Sequence, residues 1–81
     1  MLKYTVQVSG MMCGMCEAHV NDLIRREMDI KKVSSSHSKN QTVILSEHEL
    51  DEQLIRDSIT ASGYEVGTIT KEQKKKGLFG F

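Results

Sequence analysis

The chain opens on strict alternation. Leu2, Tyr4, Val6 and Val8 fall on one side of an extended backbone, with Lys3, Thr5 and Gln7 on the other. That period predicts a half-buried strand, and Gly10 ends it. Met11-Met12-Cys13-Gly14-Met15-Cys16 follows neither a strand nor a helix period. From Cys16 the spacing turns helical: Cys16, Val20, Leu23, Ile24 and Met28 share a face, charges lie opposite, and Asp29 marks the exit. Residues 30–36 make a weak strand in which only Val33 offers much to bury. Ser38-Lys39-Asn40 is a turn, and Gln41–Ser46 is a further strand. On that strand Val43 and Leu45 share one face. Ile44 is assigned to the open face of the sheet, beside Thr5, Gln7 and Thr42.

A second helix is predicted from Asp51. Asp51 is a capping residue, Leu50 before it can pack on Ile55, and Leu54, Ile55 and Ile59 form the expected buried stripe. Gly63 stands where a left-handed C-terminal cap is needed, and Tyr64 to Ile69 makes a short last strand. The order βαββαβ is two split βαβ units. It predicts an α+β, ferredoxin-like sandwich with a four-stranded antiparallel sheet and two helices on one face.

Composition narrows this further. At 81 residues and 38% hydrophobic, the chain has room for one domain with a thin core. No apolar run is long enough for a membrane span, and Met1-Leu2-Lys3-Tyr4 lacks the apolar segment of a signal peptide, which points to the cytoplasm. The 11 basic and 11 acidic residues cancel, so nothing global points to nucleic acid. The balance hides a split: residues 1–70 carry seven basic and ten acidic side chains, net −3, while residues 71–81 are +3. The expected organisation is a folded unit over 1–70 and a basic, flexible tail over 71–81.

The chemistry lies in the Cys13-x-x-Cys16 pair. Two intervening residues let both sulfurs point at one small volume. Cys16 opens the predicted helix, where free N–H groups and the helix dipole favour a thiolate by about 0.3–1 kcal/mol. At 1.36 kcal/mol per pKa unit, that leaves the thiol titrating near neutrality, and a bound soft metal deprotonates it outright. Three other readings compete. A redox pair expects a thioredoxin-type context with a proline facing the motif, and the chain has no proline. A structural zinc site needs two more ligands; His19, one turn after Cys16, could supply one. Two unliganded cysteines explain poorly why thiols sit among Gly and Met in a loop. The three histidines, His19, His37 and His48, are expected in solvent, and Met12 and Met15 are expected as filler or as a soft surface.

Gly10-Met11-Met12-Cys13-Gly14-Met15-Cys16 resembles the G-M-x-C-x-x-C signature of the heavy-metal-associated domain family. That family includes bacterial copper chaperones, metal-binding domains of copper P-type ATPases and the periplasmic mercury-binding protein. The resemblance spans about residues 3–69. It implies Cys13 and Cys16 as metal ligands, Met11 as a core methionine that anchors the loop, and Tyr64, in Ser62-Gly63-Tyr64, as a neighbour of the metal. Two departures stand out: Ser35 and His37 fall where the family's second strand has inward apolar residues, and Asp29-Ile30 replaces its Gly-Val.

The implied function is a Cu(I) chaperone, with zinc or another soft heavy metal as alternative cargo. It binds, protects and hands over one ion, which makes it no enzyme. The implied partner is a metal-transporting P-type ATPase or a copper-responsive regulator. The implied state is a monomer or a weak metal-bridged homodimer. The alternatives are a sensing or docking module of a metal-exporting ATPase system, and a thiol redox protein. The length favours a stand-alone chain over part of a transporter. Lys74-Lys75-Lys76-Gly77-Leu78-Phe79-Gly80-Phe81 is a solubilising end or a weak membrane-surface contact at about 1 kcal/mol per lysine, without stable insertion.

Overall fold

The computed structural model describes residues 2–11 and 14–73. Met12, Cys13 and the Lys74–Phe81 tail lie outside the described residues. The elements follow the predicted order: β1 (Leu2–Ser9), α1 (Gly14–Glu27), β2 (Lys32–Ser36), β3 (Gln41–Ser46), α2 (Glu52–Ala61) and β4 (Glu65–Gln73). One sheet has strand order β2-β3-β1-β4, and every neighbouring pair is antiparallel. The architecture is ferredoxin-like.

The core forms where the inward face of β1 meets the helices. Tyr4, Val6 and Val8 pack with Val20, Leu23 and Ile24 of α1 and with Ile55 and Ile59 of α2. The buried Tyr4 hydroxyl is satisfied by one backbone unit: it accepts from the Leu50 N–H at 2.8 Å and donates to the Leu50 carbonyl at 3.4 Å. Asp51 caps α2 as its sequence position predicts, accepting from the Gln53 and Leu54 N–H groups. Gly63 takes φ +97° after the helix, the left-handed conformation that glycine adopts without a Cβ penalty. Asn40 takes φ +54° in the β2–β3 turn, a conformation asparagine tolerates.

Three expectations are corrected. On β3 the faces are exchanged: Ile44 is fully buried with Thr42 and Ser46, while Val43 and Leu45 lie half-exposed on the open face. Pairing decides this, because Tyr4 stands opposite Ile44, Val6 opposite Thr42 and Leu2 opposite Ser46, and opposed residues share a face. Leu54 is 38% exposed and outside the core; the buried stripe of α2 is Ile55 and Ile59, one helical turn apart. Finally, β4 runs beyond Ile69 to Gln73, with Lys71 opposite Tyr4 and Gln73 opposite Leu2. The boundary drawn at residue 70 therefore falls inside a paired strand. Lys71 also reaches back to Glu49, Nζ to Oε2 2.5 Å.

Between Val6 and Val8 the β1–β4 register shifts, so that Gly67 and Thr68 oppose the single residue Gln7. This is a β-bulge. The Arg56 guanidinium, from α2, donates to the carbonyls of Val66 at 3.0 Å and Gly67 at 2.9 Å. It holds in place the backbone that follows Tyr64.

Candidate metal centre

The cysteine loop hangs between two arms, the end of β1 and the start of α1. Gly10 leaves β1 with φ +104°, a conformation that favours glycine. Met11 then turns inward, 5% exposed, and joins the core. Cys13 and Met12 lie outside the described residues. Gly14 begins α1, and Cys16 is in its first turn, half-buried and packed against the core. Its neighbour Met15 points outward, 82% exposed. The first turn of a helix presents N–H groups without intrahelical partners, so the Cys16 backbone sits where negative charge is favoured. Arg25 and Arg26 occupy the last turn of the same helix, where the dipole favours positive charge.

Tyr64 stands beside this loop, half-buried against the core. A Cβ placed on Gly10 would lie 3.5 Å from Tyr64 Cδ1, so the ring lies against the point where the loop departs. On its other side the Tyr64 hydroxyl is 3.3 Å from His19 Nδ1. Met11, Cys16 and Tyr64 pack in or against one core cluster, and His19 joins Tyr64 through the hydroxyl contact.

The departures from the family pattern on β2 acquire partners. Ser35 faces inward and donates to Asn21 Oδ1 at 2.6 Å, with the Thr42 hydroxyl 2.9 Å away. His37 meets Glu17: the carboxylate accepts from the His37 backbone N–H at 2.7 Å and from Nδ1 at 2.6 Å. The backbone hydrogen bond from His37, then the ring, holds the Glu17 carboxyl below the usual carboxylate range, with desolvation opposing. Glu17 and Asn21 are one turn apart on α1; Ser35 lies on β2 and His37 in the turn just after it. Polar contacts therefore fasten this flank of α1, at positions where the family pattern has apolar residues. All three histidines are exposed, as expected, and each has a polar neighbour: His48 Nδ1 lies 3.2 Å from the Glu49 carbonyl and its Nε2 is 4.0 Å from Asp29. These pairings join residues 20 and 45 positions apart for His37 and His19, and local sequence carries no signal for them. Among the described residues, no group of three or more His, Cys, Asp or Glu side chains could hold a metal ion.

No family model matches the chain, and no curated protein matches it significantly. Solved structures do. A copper-binding domain from HMA7, a P-type ATPase, superposes with TM-score 0.78 at 24% identity, covering 90% of this chain and 100% of that one. The CopZ metallochaperone gives 0.72 at 20% identity over 80% and 98% of the two chains. The N-terminal domain of ZntA, in its Zn(II) form, gives 0.72 at 21% identity over 93% and 97%. The chain shares its fold with these domains. The shared fold includes the single antiparallel sheet and the two helices described above. Among the described residues no helix is long and apolar enough to cross a membrane.

Proposed function

We propose that this chain is a heavy-metal-associated protein that carries one Cu(I) between the thiolates of Cys13 and Cys16 and hands it to a partner by ligand exchange. The observation that carries the reading is the position of Cys16: first turn of α1, half-buried, packed against the same core cluster that holds Met11 and borders Tyr64. A sulfur there gains from the helix N-terminus and is shielded on the core side, while Gly14 and Met15 beside it are exposed.

Two thiolates suit a soft monovalent ion. Cu(I) prefers sulfur ligands, whereas structural zinc takes four. A two-sulfur site leaves the ion open to an incoming cysteine. That cysteine binds as its thiolate, a protein sulfur then leaves, and the proton shed by the first is taken up by the second. The ion passes through shared ligands and is never released. The exchange has the logic of thiol–disulfide exchange, without any change of oxidation state. Met11 anchors the loop from the core, and Tyr64 screens the ion from water. The partner in this reading is a metal-transporting P-type ATPase or a copper-responsive regulator, in a compartment that keeps thiols reduced.

The test is an anaerobic titration of the reduced chain with Cu(I) in competition with a chromophoric Cu(I) chelator. One equivalent should be retained, and prior loading with Zn(II) should be displaced by copper. Zinc retained against excess Cu(I), in a complex that disappears in His19→Ala, would overturn the copper reading in favour of a divalent site.

A further inference from the structure

The sequence treats His19 as a solvated residue or a marginal zinc ligand. The structure gives it another employment. Its Nδ1 lies 3.3 Å from the Tyr64 hydroxyl, and the two rings meet edge to face, centroids 6.0 Å apart at 64°. The same Tyr64 ring lies against Gly10, where a Cβ would meet Cδ1 at 3.5 Å and the Tyr64 Cα at 3.9 Å. Gly10 is the last residue before the cysteine loop; His19 is one turn beyond Cys16. Tyr64 therefore touches both arms that carry the loop, and His19 is the contact on the helix arm. The opposite flank of that helix is held separately by Glu17–His37 and Asn21–Ser35.

We propose that His19 is a positioning residue for the metal loop: acting through Tyr64, it ties the helix arm to the strand arm and slows exchange of the bound ion with incoming sulfur ligands. This rests on the Cu(I) reading above for its cargo, but the ring contact itself belongs to the metal-free protein. The pair works in either tautomer. The phenol donates to Nδ1 when Nε2 carries the proton, and Nδ1–H donates to the phenol oxygen otherwise. An aromatic ring packed edge to face with one imidazole and close to the Gly10 backbone has less freedom to swing aside. A chelator or partner thiol must then approach a loop whose two ends are fixed relative to each other.

The experiment compares wild type with His19→Ala, His19→Asn, Tyr64→Phe and the His19→Ala/Tyr64→Phe double variant. In the reduced, metal-free protein, NMR should show a Tyr64 ring to Gly10 Hα contact that weakens in His19→Ala and survives in His19→Asn, whose amide oxygen can replace Nδ1 as acceptor. In the Cu(I)-loaded protein, removal of the ion by excess chelator should be about three- to tenfold faster in His19→Ala, the size of one lost hydrogen bond. The equilibrium affinity should move by less than about threefold. In the Tyr64→Phe background, His19→Ala should add nothing. An unchanged Tyr64–Gly10 contact in His19→Ala, or a rate effect of full size in the Tyr64→Phe background, would overturn the proposal. A chain that binds no Cu(I) would overturn the metal reading and the exchange effect together, while the NMR arm alone would still decide the positioning.

Discussion

Serine at either position 13 or position 16 is expected to weaken Cu(I) binding more than about a hundredfold, beyond the 10- to 100-fold that loss of an outer-shell partner costs. The chain has only two cysteines, so no third thiolate can replace the one removed. A serine hydroxyl is a hard donor and stays protonated near neutral pH, which a soft monovalent ion disfavours. The nearby methionines offer no remedy for lost charge: Met15 is a neutral thioether at 82% exposure, and Met11 is committed to the core. The fold should survive both changes, since Cys16 is only half-buried. Chelator competition on Cys13→Ser and Cys16→Ser, with circular dichroism to confirm folding, checks this. Unchanged affinity in both single variants would remove the cysteine pair from the site.

Met11→Ala should behave in the opposite way, losing stability while largely keeping the metal. Met11 is 5% exposed and packs within the main core cluster. Truncating a buried methionine costs about 2–5 kcal/mol through lost burial and the cavity left behind. Total stabilities are only about 5–15 kcal/mol, and a chain of 81 residues has a thin core, so the midpoint of urea unfolding should fall sharply. The Cu(I) affinity of the folded fraction should change by less than about tenfold, or 1.4 kcal/mol. An untouched fold with collapsed affinity would make Met11 a ligand instead of an anchor.

The contrast between these two residues shows what the sequence could and could not convey. β1 and α1 were legible because their apolar spacing is unambiguous; α2 was legible in its extent, while the adjacent pair Leu54-Ile55 left open which of the two faces inward. β3 was not. Its run Val43-Ile44-Leu45 is apolar at three successive positions, so a period of two fits in either phase. The phase is set by pairing with β1, which places Ile44 inward between Thr42 and Ser46. Those two buried hydroxyls are tolerated because each has a partner: Thr42 meets Ser35, and Ser46 donates to the His48 carbonyl at 2.7 Å. The end of β4 was hidden for a related reason. Thr70 to Gln73 has no apolar alternation, and its strand conformation comes from the β1 ladder.

Around the loop, the cysteine spacing pointed to Cys13 and Cys16, and the resemblance pointed to Met11 and Tyr64. What escaped was the support: Arg56 on the bulge carbonyls, Glu17 on His37 and His19 on Tyr64. Each joins residues distant in sequence. Each uses a side chain whose type is as common on a solvated surface as in a contact, so no local pattern singles it out.

The central claim is that two cysteine sulfurs, and nothing else from this chain, hold the ion. It is tested most directly by X-ray absorption at the copper edge, on monomeric protein carrying one equivalent of Cu(I) in thiol-free buffer. The account predicts a spectrum of Cu(I) with two sulfur scatterers in its nearest shell. A nitrogen or oxygen scatterer in that shell, from His19 or any other residue, or a third sulfur from a methionine, would contradict it.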